Sequence, residues 1–367
     1  MGIVARSQGQ VVHLGLDVHR DTISVGVLPW DREEPSLDKI SSDEEAVRRL
    51  INRFPDRRAL RVCYEAGPTG YDLARMLIRW GVSCDVIAPS LVPKAASDKV
   101  KTDKRDARRL ARLHRAGELT AIHIPTPEQE AVRDLCRARV DVVIERTRAR
   151  HRLSKFLLRH SQIYRQGTQW TMAHEQWLRQ LHFDDRALLL TYQHYQHTLR
   201  CCDDQLRVID ADLAGYFDAG PFAEQVRRLA CYRGVTELGG LTLASEVVDW
   251  RRFPSASSFM CFTGLVPTED SSGLRERRGK ITKAGNVHVR TQLVESAWAY
   301  QHRPAVGAVL TRRQQGASAG TLTRSWTAQQ RLTTRFRRMQ AQRHHNNVVA
   351  TAIARELSGF LWAEMTH

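Results

Sequence analysis

Strand-like and helix-like segments alternate over the first 114 residues, and this alternation restricts the fold more than any other feature of the sequence. Residues 11–18 and 22–28 have the apolar, β-branched composition of two strands joined by a short polar turn. A helix is predicted at 42–54, where Ser42 and Glu45 have the spacing of a capping box ahead of a periodic apolar run. This order of elements predicts an open α/β sheet. The later elements are a strand at 60–65, a helix at 71–80, a strand at 82–88 and a basic helix at 100–114.

Four carboxylates lie at the ends of these elements. Asp17 is near the end of the first strand among apolar residues, and Glu65 ends a later strand, where active-site acids lie in open α/β sheets. Asp103 and Asp106 are three residues apart and share one face of the basic helix. This order of acids is expected of a ribonuclease-H-like fold of the RuvC type, in which they converge on two divalent metal ions. The alternatives are a turn cap for Asp17 and surface salt bridges for the helical pair.

The net charge indicates the kind of partner. Lys and Arg number 56 against 40 Asp and Glu, a formal charge of +16, which favours nucleic acid first and an acidic membrane surface second. The seven cysteines include no C-x-x-C pair, so neither a disulfide framework nor a zinc site is indicated. No signal peptide and no apolar run of about 20 residues is present. We expect a cytoplasmic protein with no membrane partner.

The composition changes after residue 125 and predicts three domains, at 1–125, 126–218 and 219–367. Residues 128–158 contain no Gly or Pro and have near-heptad apolar spacing, and a second helical run extends from 177 to 213. These runs are compatible with a helical hairpin joining two domains and with a coiled-coil arm for dimerisation and nucleic-acid contact. The aromatic residues between them either stack on bases or pack in the protein; they are Tyr164, Trp170 and Trp177.

The third domain combines a possible phosphate-binding turn with a serine in a basic segment. Residues 233–247 resemble a helix-hairpin-helix with two helical pieces around Gly239 and Gly240. Ser272 precedes a cationic stretch that favours holding a phosphate and stabilising an attacking alkoxide, although a turn residue is the simpler interpretation. The candidate nucleic-acid-binding residues are Arg105, Arg108 and Arg109 of the basic helix, with Arg275, Arg277, Arg278, Lys280, Lys283 and Arg290 after the serine.

Six motifs occur in an order that is typical of one family. They are GLDVH at 15–19, YEAGPTGY at 64–71, KTDKRDA at 101–107, GLVP at 264–267, SSG at 271–273 and ITKAGN at 281–286. On these motifs the chain resembles the DEDD insertion-sequence transposases of the IS110 type, which are recombinases guided by a bridge RNA. The resemblance covers nearly the whole chain. One departure is the segment 237–240, where the family often has a Gly-Pro, and it puts phosphate contact by this turn in doubt.

The resemblance implies a RuvC-like domain, a coiled-coil arm and a mainly helical C-terminal transposase domain with a serine nucleophile. By position, Ser272 is that nucleophile, with Ser271 as its neighbour, and it attacks a DNA phosphodiester to form a covalent phosphoserine. The implied partners are donor and target double-stranded DNA, a guide RNA and further copies of the chain in a dimer or tetramer. The implied metal is Mg²⁺ (or Mn²⁺), and the implied ligands are Asp17, Glu65, Asp103 and Asp106.

Two other functions remain open from the residues alone. A metal-dependent junction-resolving endonuclease would use only the four acids, and Ser272 would have no role in it. A nucleic-acid-binding protein that keeps the fold without catalysis would need neither the acids nor the serine.

Overall fold

The computed structural model describes residues 11–89, 92–93, 103–269 and 278–367. The chain forms two compact units, one ending at Ile124 and the other beginning at Pro125. The mixed α/β character predicted for the N-terminal region and the mainly helical character predicted for the remainder are confirmed. The division into three domains stays a prediction. In the described segments, no helix combines the length and apolar character needed to cross a bilayer.

The N-terminal unit is built on a five-stranded sheet. Strands β1 and β2 form an antiparallel hairpin, β3 pairs antiparallel with β2, and β4 and β5 continue the sheet parallel to β1. The spatial order is β3-β2-β1-β4-β5. β3 is missing from the sequence prediction, because it is a polar edge strand without an apolar alternation. The strands are β1 Val12–Val18, β2 Thr22–Pro29, β3 Ser36–Ser41, β4 Leu60–Glu65 and β5 Ser83–Ile87.

The described part of this unit contains the helices α1 Glu44–Asn52, α2 Asp72–Arg79 and α3 Asp103–Ala116. The predicted capping box of Ser42 and Glu45 is wrong. Asp43 is the N-cap of α1, and its carboxylate accepts a hydrogen bond from the Ala46 amide at 2.8 Å. Aspartate caps a helix as well as serine does, and here the helix begins one residue later than the capping box required.

Helix α3 lies directly on the hairpin of β1 and β2. Gly15 and Gly26 face each other across the hairpin. A Cβ atom on Gly15 would lie 2.4 Å from the carbonyl oxygen of Ala107, and one on Gly26 would lie 2.6 Å from the same atom. Because real Cβ atoms do not approach so closely, the two glycines allow the helix backbone to rest on the strands.

The second unit begins with a helical hairpin. Helices α4 Pro127–Arg159 and α6 Arg186–Ala214 pack against each other, with the shorter α5 Met172–Gln180 between them. Arg146 and Asp203 form an ion pair across the hairpin at 3.4 Å. The predicted run from 177 is therefore divided, since the chain leaves α5 after residue 180 and starts α6 with Asp185 as N-cap.

The aromatic residues of this hairpin surround His174, which is buried. The rings of Tyr164, Trp170 and Trp177 have their centroids 4.9 to 5.5 Å from the imidazole. Their contacts favour the packing interpretation over base stacking.

The remainder of the unit is a helical cluster with a small hairpin. Its core is apolar and includes the face of the last helix that carries Val349, Ile353 and Leu357, so the predicted amphipathic helix docks on this unit. The helices are α7 Ala223–Ala230, α8 Glu237–Val247, α9 Ala256–Thr263, α10 Val287–Ala297, α11 Ala308–Arg313, α12 Ala319–Ala341 and α13 Asn346–Thr366; the strands are β6 Pro267–Glu269 and β7 Arg278–Ile281.

The predicted turn at Gly239 and Gly240 is wrong, because both glycines lie in the first turn of α8. Their amides donate to the side chain and carbonyl oxygens of Thr236 at 3.0 and 2.7 Å, so these amides are already used. A Cβ atom on Gly239 would lie 2.7 Å from the Gln292 amide nitrogen. The glycine pair is explained by close helix packing and not by phosphate contact.

Candidate metal centre

Asp17 occupies the end of β1, and its side chain is 23 % exposed. Burial raises the pKa of Asp17, and His19 opposes this shift through its charge and a hydrogen bond. The carboxylates of Asp103 and Asp106 raise the pKa further. Both acids of α3 therefore act on the pKa of Asp17.

His19 lies between two of these carboxylates. Its Nε2 atom is 3.2 Å from Oδ2 of Asp17 and 3.6 Å from Oδ1 of Asp103. Ligand atoms of these three residues all lie within 4.8 Å of one another, and no other trio of His, Cys, Asp or Glu in the described part of the chain does so. His19 is absent from the sequence prediction. Its position two residues after Asp17, on the same side of an extended chain, was the available signal.

The other two acids are connected through Arg109 of α3. Its Nη2 atom is 3.7 Å from Oε1 of Glu65 and 3.5 Å from Oδ1 of Asp106. The structure thus places Glu65 at the end of β4 and Asp106 on α3 around one guanidinium. Nucleic-acid contact by Arg109 stays a prediction; in the structure its guanidinium offsets carboxylate charge.

The donor atoms of this centre fit a divalent cation. Carboxylate oxygens are the ligands that Mg²⁺ and Mn²⁺ accept, and an imidazole nitrogen is accepted by transition metals. Asp17, His19 and Asp103 bring such atoms together, and the side chains of His19 and Asp103 are each 53 % exposed. A cation from solvent has access to all three.

The other predicted cationic residues differ in their surroundings. Arg105 and Arg108 are exposed on α3, and Lys280 and Lys283 are exposed at and after β7. Arg290 is half-buried; it donates to the carbonyl oxygen of Thr263 at 3.1 Å, and burial lowers its pKa. Its observed contact fixes the end of α9. Ser271, Ser272, Arg275, Arg277 and the side chain of Arg278 lie outside the described residues.

The segments on either side of the serine pair are held together. The amide of Lys283 donates to the carbonyl oxygen of Gly264 at 3.1 Å. Gly285 has φ +129°, and a Cβ atom there would lie 2.1 Å from the carbonyl oxygen of Phe262. Only glycine adopts this φ readily and has no Cβ atom to meet the carbonyl oxygen. The chain therefore leaves this contact before Ser272 and returns to it afterwards.

A buried carboxylate supports the same region. Glu246 of α8 is 1 % exposed at its side chain and accepts hydrogen bonds from Nε of Arg137 at 2.7 Å and Nδ2 of Asn286 at 2.7 Å. Burial alone would raise the pKa of Glu246, but Arg137 and Asn286 outweigh it and hold the pKa below its usual value. Asn286 also caps α10 by accepting from the Val289 amide. The sequence motif that ends at Asn286 is thus tied to α4 and α8.

Comparison with known proteins identifies the family. Residues 14–161 match the DEDD transposase model of the IS110 group, and residues 226–309 match the model described as "Transposase IS116/IS110/IS902 family". A putative transposase of Sinorhizobium fredii, y4qE, is 39 % identical over 353 residues, which is 95 % of this chain and 87 % of the relative. The transposase for insertion sequence element IS1533 of Leptospira borgpetersenii is 34 % identical over 90 % of this chain and 97 % of the relative. The chain therefore belongs to the IS110 family of insertion-sequence transposases, enzymes that cut DNA and transfer its strands.

Proposed function

We propose that this transposase cuts and exchanges DNA strands with a metal site of Asp17, Glu65, Asp103 and Asp106 and with Ser272 as nucleophile, at sites chosen by a guide RNA. The observation that carries the metal site is the convergence of its acids: Nε2 of His19 lies 3.2 Å from Asp17 and 3.6 Å from Asp103, and Nη2 of Arg109 lies 3.5 Å from Asp106 and 3.7 Å from Glu65. The sheet order β3-β2-β1-β4-β5 supports a RuvC-like fold. In this sheet β2 is antiparallel to both β1 and β3, whereas β4 and β5 are parallel to β1.

The four acids would hold the cation, and other residues of the chain keep these acids in position. A divalent ion, Mg²⁺ or Mn²⁺, when bound would polarise a scissile phosphate and offset its negative charge. Arg109 keeps Glu65 and Asp106 near each other at 3.7 and 3.5 Å from its guanidinium. Asp17 is held by the β1 ladder, and Asp103 by a helix that rests on Gly15. These supports preorganise the carboxylates.

The proposed serine step conserves phosphodiester bonds. The Ser272 oxygen forms a bond to phosphorus and loses its proton, while the bond from phosphorus to the leaving strand breaks and that strand's oxygen takes up a proton. A hydroxyl of the partner strand then loses its proton as its oxygen bonds to phosphorus, while the bond from phosphorus to Ser272 breaks and the serine oxygen takes up a proton. Lys280 and Lys283, which follow this segment and are exposed, supply positive charge for the phosphate.

The proposed partners follow from charge and from the family. A formal charge of +16 and the exposed Arg105 and Arg108 support binding of donor DNA, target DNA and a guide RNA. The proposed assembly is a homo-oligomer, a dimer or tetramer, acting at the nucleoid.

Trapping the covalent intermediate tests the nucleophile. The purified protein is incubated with DNA of the element's ends and its RNA, and adducts are resolved on a denaturing gel. We expect an adduct that Ser272→Ala abolishes and that Ser271→Ala, the matched control, retains. The reverse result would move the role to Ser271. Cleavage that persists without an adduct in both variants would favour a junction-resolving endonuclease that uses only the acids.

Sequencing of the RNA that co-purifies with the protein tests guidance. We expect one discrete species transcribed from the end of the element. A heterogeneous RNA population would contradict guidance while leaving the serine chemistry intact.

A further inference from the structure

We propose that His19 is a nitrogen ligand of the metal site and that it makes the site select Mn²⁺ over Mg²⁺. This inference rests on the proposed metal site and adds to it a residue and a selectivity. The carrying observation is the trio of Asp17, His19 and Asp103, whose ligand atoms lie within 4.8 Å of one another.

The distances within the trio suit a shared ion. Two atoms bound at about 2.1 Å to one ion and at right angles are about 3 Å apart. Nε2 of His19 is 3.2 Å from the Asp17 oxygen and 3.6 Å from the Asp103 oxygen. Small side-chain rotations are therefore enough for all three atoms to reach one cation.

The backbone keeps His19 at this edge of the sheet. Its amide donates to the carbonyl oxygen of Thr22 at 3.0 Å, which closes the turn between β1 and β2. Asp17, two residues earlier, is paired with Ser24 in the same hairpin. The two side chains thus leave one short, hydrogen-bonded segment, and their separation does not depend on a flexible loop.

The chemistry of the donor atoms determines the selectivity. Mg²⁺ takes oxygen ligands and keeps much of its water. Mn²⁺ also suits oxygen ligands, but as a first-row transition ion it binds an imidazole nitrogen more readily than Mg²⁺ does. A site made only of carboxylates binds Mg²⁺ and Mn²⁺ alike through oxygen ligands. One imidazole added to that site stabilises Mn²⁺ and contributes little to Mg²⁺.

Direct metal binding tests this proposal without requiring DNA cleavage. The full-length protein and its variants are titrated with Mn²⁺ and with Mg²⁺ by calorimetry, and bound Mn²⁺ is examined by pulsed electron paramagnetic resonance for coupling to a ¹⁴N nucleus. In His19→Ala we expect the ratio of Mn²⁺ to Mg²⁺ affinity to fall and the imidazole ¹⁴N coupling to disappear. His19→Asp should bind both ions through oxygen, again without the nitrogen coupling.

His182→Ala is the matched control, because His182 is 76 % exposed and pairs with Asp184 in the helical hairpin. It should keep both the affinity ratio and the nitrogen coupling. Circular dichroism of each variant verifies folding before titration.

Asp17→Asn separates this inference from the metal site itself. If Asp17→Asn weakens binding of both ions while His19→Ala changes neither the ratio nor the coupling, the metal site stands and the role of His19 is overturned. If the native protein binds neither ion, the proposed metal site fails together with the inference.

Discussion

Gly15 of β1 lies so close to Ala107 of α3 that a Cβ atom on the glycine would be 2.4 Å from the alanine carbonyl oxygen. Asp17 follows Gly15 by two residues, and Asp106 directly precedes Ala107. The distance between strand and helix at the glycine therefore sets the distance between the carboxylates of the two elements. The size of the residue at position 15 therefore affects the proposed metal site.

Gly15→Ala should push α3 away from the sheet. Overpacking of this kind costs about 1–3 kcal/mol of unfolding free energy, measured by urea denaturation. We also expect Mn²⁺ affinity to fall, since Asp103 and Asp106 move with the helix. Gly307→Ala is the matched control, because nothing lies within 4 Å of a Cβ atom there and φ is −81°. Unchanged stability and metal affinity in Gly15→Ala would contradict the close contact.

Much of the site was predictable because strand ends in an α/β sheet converge. The positions of Asp17 and Glu65 at strand ends follow from local patterns alone. The spacing of His19 from Asp17 was a local signal, but its proximity to Asp103 was not predictable, since that depends on how α3 crosses the sheet. The pairing of Arg109 with Glu65 depends on the same crossing. Prediction of contacts between distant segments requires the distance at which two elements pack. The periodicity of apolar residues in the sequence gives no such distance.

The errors in the predicted fold share one physical cause, which is packing between distant segments. The Gly239 and Gly240 pair has the composition of a turn, but close packing of α8 against its neighbours also requires small residues. β3 has no apolar alternation because it lies at the sheet edge and pairs on one side only. In both cases tertiary packing decided between structures that the local sequence permits.

Asp17→Asn and Glu65→Gln should each abolish metal-dependent DNA processing while the fold is kept. Each change removes a negative charge but preserves the shape of the side chain. We expect the unfolding free energy of Asp17→Asn to be equal to the native value or slightly higher. The reason is that burial and the acids of α3 disfavour the charged form of the Asp17 carboxyl. Cleavage assays with Mg²⁺ and Mn²⁺, with thermal unfolding in parallel, measure both. Full activity in either variant would remove that residue from the site.

Replacement of Arg137 should destabilise the protein more than replacement of its partner Glu246. Arg137→Met removes both guanidinium hydrogen bonds from a buried carboxylate, which keeps its bond from Asn286, at a cost of about 2–4 kcal/mol. Glu246→Gln leaves a guanidinium that is 40 % exposed and still hydrated, at a cost of about 1–2 kcal/mol. Urea denaturation of both variants measures the asymmetry. Equal costs would mean that the Glu246 carboxylate is not held as a charged group.

Low pH should destabilise the N-terminal unit through His13. Burial, followed by the charges of His114, Arg115 and Arg61, lowers the pKa of His13 from 6.5 to about 4. Between pH 6.5 and about pH 4, the unfolded chain therefore binds a proton at His13 that the folded chain does not bind. The stability that neutral His13 allows is present above pH 6.5 and is lost as pH falls towards 4. Urea midpoints measured from pH 7 to pH 4 should fall less steeply for His13→Asn than for the native protein. His182→Ala is the control and should keep the native slope. An unchanged slope in His13→Asn would show that folding does not lower the pKa of His13.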